Sequence, residues 1–79
     1  MTKLTFKITS LKSGKNAVQY FFNCTTRRGA SYRGNVWLGH DGGTIAHCFR
    51  VKDSKHISRM TKFGSELESA AIKFVKESV

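Results

Sequence analysis

The stretch TTRRGASYRGNVWLG, residues 25–39, gathers Arg27, Arg28 and Arg33 with Tyr32 and Trp37. That mixture points to one kind of chemistry. Guanidinium groups neutralise phosphates or stack on planar groups, and an exposed indole offers a face for a nucleic-acid base, each stacked base contributing about 1–3 kcal/mol. Large aromatics are also enriched in protein interfaces, so an acidic protein surface is the competing partner.

The other reactive side chains do not assemble into a reaction centre by their spacing. Cys24, His40, His47, Cys48 and His56 carry zinc-ligand atoms, yet the chain has no C-x-x-C or H-x-x-x-H pair. Neighbouring residues of a strand, as His47 and Cys48 are expected to be, project to opposite faces. The glycines of RRGASYRG lead into a strand pattern and not a helix start, which argues against a phosphate-cradling loop. No metal site, cofactor or enzymatic activity is expected, since no nucleophile, base and orienting group are recognisable together.

Charge narrows the choice of partner. The 79 residues carry 14 Lys and Arg against 5 Asp and Glu, a formal charge of +9. Residues 1–62 hold twelve of the bases and two of the acids, Asp41 and Asp53, whereas residues 63–79 hold two bases and three acids. Solubility alone requires no such segregation. A one-sided positive field attracts phosphate backbones or acidic protein faces.

The length suits a single domain, residues 1–79, with one sheet and one covering layer. Two cysteines are too few for a disulfide scaffold, and the start of the chain has no signal-peptide pattern. No apolar run approaches the roughly 18 residues that cross a bilayer. A cytoplasmic protein with no membrane role is expected.

Four elements of period two precede a change to helical spacing. KLTFKIT (residues 3–9), AVQYFFNCTT, YRGNVWLG and TIAHCFRV each alternate apolar and polar positions, and the turn chemistry of KSGKN, RRGAS and HDGG separates them. HDGG carries the Asp-Gly signal of a tight hairpin. Short connections favour an antiparallel meander. After Asp53, residues Ile57, Met60, Gly64, Leu67, Ala71 and Phe74 recur at three and four positions, and Ser65 with Glu68 reads as a capping box. The pattern predicts a helix over about 66–77. For residues 54–63 it predicts a short helix with a break near Gly64, although one continuous helix keeps the same apolar face in phase. The expected fold is therefore α+β: a four-stranded antiparallel meander covered on one face by a C-terminal helix, in the order ββββα.

In that fold Leu4, Phe6, Ile8, Val18, Tyr20, Phe22, Val36, Leu38, Ile45, Phe49 and Val51 face the helix, which contributes Leu67, Ala71, Phe74 and Val75. The opposite face carries Lys3, Lys7, Gln19, Phe21, Asn23, Arg33, Asn35, Trp37 and Arg50. The expected binding residues are Lys7, Phe21, Arg27, Arg28, Tyr32, Arg33, Trp37 and Arg50.

YRGNVWLG resembles, over its eight residues, a strand of plant-type three-strand DNA-binding domains, in which arginines and a tryptophan on a sheet enter the major groove. The flanking pattern departs from that family, and no family is assigned. RNA-recognition domains share exposed sheet aromatics but have a βαββαβ order and an RGFGFV-like strand, neither of which is present. In size and plainness the chain also resembles small phage or mobile-element proteins, including anti-CRISPR inhibitors, without sharing a motif.

Two functions follow as expectations. The first is nucleic-acid binding, single strands favoured, through the sheet face and the RRGASYRG loop of a monomer or homodimer. The alternative is a phage-type inhibitor or adaptor that docks its basic face on an acidic or nucleic-acid-binding site of a larger host complex.

Overall fold

The computed structural model describes residues 4–79; Lys3, expected on the open face, lies outside them. The elements are β1 (Leu4–Ser13), β2 (Ala17–Thr26), β3 (Ser31–Gly39), β4 (Thr44–Arg50) and α1 (Lys62–Ser78). The strands pair antiparallel in chain order β1-β2-β3-β4, and the helix packs on one face of the sheet. This is the ββββα arrangement that the alternating runs imply.

The core lies between α1 and the sheet. Phe22, Cys24, Val36, Ala46 and Cys48 from the strands meet Leu67, Ala71 and Val75 from the helix. Phe63 lies 5.3 Å from Tyr32 on β3, and Phe74 stacks at 5.4 Å on Phe6 of β1. The helix therefore crosses the sheet from the β3 side towards β1, with Phe63 and Phe74 half-buried at its margins.

The phase of β4 is the reverse of the sequence expectation. Ala46 and Cys48 are buried, whereas Ile45 is 58 % exposed and His47 is exposed. The hairpin loop is the cause. A two-residue Asp41-Gly42 turn would pair Leu38 with Ile45. Instead Gly39 N–H donates to Gly43 O, Gly42 N–H donates to Gly39 O, and Gly42 has φ 92°, which makes a three-residue loop ending in a left-handed glycine. Pairing then begins Leu38 with Thr44 and Trp37 with Ile45. A one-residue change of register moves every side chain of the strand to the other face.

Two further differences concern the segments flanking the sheet. A bulge between Ile8 and Ser10 extends β1 to Ser13 and brings Lys12 opposite Gln19. Residues 54–61 form no short helix. Lys55–Ile57 return along the outer edge of β4, with Arg50 N–H donating to Lys55 O and Ile57 N–H donating to Cys48 O. Ile57 reaches the core margin from this bridge, while Met60 is 91 % exposed, so neither belongs to a helical face.

The helix also starts earlier than Ser65. Thr61 is its N-cap, with its hydroxyl accepting from Gly64 N–H at 3.0 Å. Gly64 does not break the helix. It sits buried in the first turn against the Ser58 carbonyl, where a Cβ would collide with backbone.

Candidate nucleic-acid interface

The face of the sheet away from α1 follows from strand alternation and register. One cross-strand row reads Lys12, Gln19, Trp37 and Ile45; the next reads Ser10, Phe21, Asn35 and His47; a third reads Lys7, Asn23, Arg33 and Phe49. His56 joins this face through its bridge to Phe49. None of these positions is acidic. The five acids lie elsewhere: Asp41 and Asp53 in turns, and Glu66, Glu68 and Glu77 on the helix.

The sheet thus separates the expected binding residues into three groups. Lys7, Phe21, Arg33 and Trp37 share the open face as expected. Arg27 and Arg28 stand exposed in the β2–β3 turn, which is closed by Thr26 N–H donating to Ala30 O and Gly29 N–H donating to Thr26 O. Tyr32 and Arg50 pair with each other on the helix side, Tyr32 half-buried against Phe63. The expectation that Arg50 shares the open face with Trp37 is corrected by the same register that reverses β4. Arg50 is also engaged, its guanidinium donating at 3.1 and 2.7 Å to the two carboxylate oxygens of Asp53.

Four side chains that were absent from the expected set enlarge the open face. Trp37 meets His47 edge-on at 5.5 Å, His47 lies 5.9 Å from His56, and His56 lies 5.4 Å from Phe49. A continuous path of rings therefore crosses from β3 over β4 to the returning segment, with Ile45 beside it. The signal that could have found Ile45, His47 and Phe49 is the second glycine of HDGG, since Gly43 pairs with Gly39 and leaves a loop of three residues instead of two.

Trp37 and Phe21 lie on neighbouring strands of this face but diagonally, since Trp37 is opposite Gln19 and Phe21 opposite Asn35. Beside Trp37 a shallow cleft of about 280 Å³ is lined by Lys12, Gly14, Ala17 and Gln19. From Trp37 to Arg33 is four residues of β3, about 13 Å at a strand rise of roughly 3.3 Å. Arg33 donates at 3.4 Å to Ser54 Oγ, which inclines it towards the 51–54 turn. There a second cleft, of about 340 Å³, lies between Gly29–Ser31 and Arg50–Lys52. Aromatic surface in the middle and cations at both ends suit a polyanion that carries flat groups.

Among the described residues no three His, Cys, Asp or Glu side chains gather to hold an ion. Cys24 and Cys48 are free and buried under the helix, while His47 projects to the other face. Burial pushes the Cys24 thiol up to about 11; burial, and then the nearby charges of Glu68 and Cys24, push Cys48 up to about 12.

Comparison of the chain with protein-family models, with curated proteins and with solved structures finds no match in any of the three.

Proposed function

We propose that the protein binds single-stranded nucleic acid on the open face of its sheet. The observation that carries this reading is the composition of that face: rings of Phe21, Trp37, His47, Phe49 and His56 among Lys7, Lys12 and Arg33, with no carboxylate. Bases stack on the rings, and the lysines and arginines, with Arg27 and Arg28 at the turn, neutralise phosphates. A single strand is favoured over a duplex because stacking needs unpaired bases whose faces are free.

The test is a titration of the protein with labelled single-stranded RNA, single-stranded DNA and duplex DNA at physiological salt. Tighter binding of either single strand than of the duplex is the expected result. Absence of binding to all three, together with capture of a nuclease-resistant acidic protein, would replace this reading with docking on a protein partner.

A further inference from the structure

We infer that His47 and His56 form a phosphate subsite for the bound strand in their protonated form, so that binding takes up protons, an inference that rests on the nucleic-acid reading above. Both imidazoles are exposed, and their rings lie 5.9 Å apart where the open face meets the outer edge of β4. On the open face His47 adjoins Trp37 and Asn35 of β3, and His56 joins the row of Phe49 and Arg33. Lys55 precedes His56 in the returning segment. At the edge of β4 a cleft of about 320 Å³ is lined by the two histidines, Ile45, Ile57, Arg59 and Glu68.

The charges around this cleft make the histidines decide its sign. Of the residues lining it, Glu68 of α1 is the acid, and the Arg59 guanidinium stands 3.9 Å from its carboxylate. Those two charges cancel. The cleft is therefore neutral while both imidazoles are neutral, and it turns positive when they take up protons. An imidazole ordinarily changes charge at about pH 6.5, where phosphodiesters remain anionic. Without a ligand, two charged rings so close together repel each other, and Arg33 and Lys55 oppose a further positive charge. A phosphodiester reverses that balance, since its oxygens accept N–H bonds from the imidazolium rings and favour their charged form. Each proton comes from solvent as the phosphate docks, and no bond of the strand is made or broken.

The experiment measures binding of labelled oligo-dT, whose bases do not titrate in this range, at about pH 8 and about pH 5.5. The parent should bind about tenfold more tightly at the lower pH, with a logarithmic salt slope steeper by about 0.7 for one added phosphate contact. In the double variant His47→Gln, His56→Gln both differences should largely disappear. His40→Gln, in the β3–β4 loop outside the cleft, should behave as the parent. Urea unfolding at both pH values checks that each protein is folded. Titration calorimetry of the parent alone, in two buffers of different ionisation heat, should show net proton uptake on binding at about pH 6.5. Equal affinity at the two pH values, a pH dependence that survives in the double variant or is lost in His40→Gln, or binding without proton uptake would overturn the inference and leave the binding function standing. No binding at either pH would remove the function and the inference together.

Discussion

The Arg50–Asp53 pair shows how a cation can be exposed and yet spent. The side-chain hydrogen bond from Arg50, then the Lys55 backbone N–H, hold the Asp53 carboxyl down to about 2 from its ordinary 3.8. A carboxyl depressed in the folded state stabilises it above the ordinary value, and the contribution is lost as pH falls through the folded value. Exposed pairs contribute little, so the effect is best read as a difference. In urea unfolding, Asp53→Asn should be slightly less stable than the parent at about pH 6 and equal to it near pH 2. The buried thiols predict the opposite limb. Their raised values favour the folded state below the ordinary 9.0, and that advantage is lost as pH rises through about 11 and about 12. A disulfide reagent at neutral pH should label neither Cys24 nor Cys48 until the protein is unfolded in urea, and stability should decline as pH rises above about 9.

At the scale of elements, the ends of the strands and helix carry the information that alternation and helical spacing lack. The strands themselves were legible, because AVQYFFNCTT and YRGNVWLG alternate cleanly and match β2 and β3 closely. In β4 apolar residues stand on both faces, so the pattern alone cannot choose between Ile45–His47–Phe49 and Ala46–Cys48; the loop length chooses. Open-face membership of Arg33, Phe21 and Trp37 survived for the same reason that His47, Phe49 and His56 were missed. The former sit on strands of clear phase. The latter depend on one turn and on the bridge that joins His56, outside every strand pattern, to Phe49 of β4. The helix start was obscured because Thr61-x-x-Gly64 satisfies the cap with a backbone N–H, whereas Ser65 and Glu68 imitate a capping box inside the helix. Thermal or urea unfolding separates the two: Thr61→Ala should cost about 1 kcal/mol, and Ser65→Ala should be nearly neutral. Gly64→Ala, despite its better helix propensity, should cost about 1–3 kcal/mol because the added methyl meets the Ser58 backbone.

For the whole molecule, the fold turns a sequence-level charge excess into a direction in space. The helix side carries three of the five acids and the Asp53-bound Arg50, and the open face carries cations, rings and neutral side chains with no carboxylate. Counterion release by those cations would set the salt dependence of binding, and stacking would set most of the salt-independent part. The most direct test is the logarithmic salt slope for a single-stranded oligonucleotide, measured for the parent and for variants drawn from each group. Arg27→Ala, Arg28→Ala and Arg33→Ala should each reduce the slope by about 0.7, the value per phosphate contact on a single strand. Trp37→Ala should weaken binding by about 1–3 kcal/mol at every salt concentration with the slope unchanged. Arg50→Ala should change neither, because its guanidinium faces the helix side and is held by Asp53. A slope that falls as much for Arg50→Ala as for Arg33→Ala, or binding that ignores Trp37, would contradict the open sheet face as the binding surface.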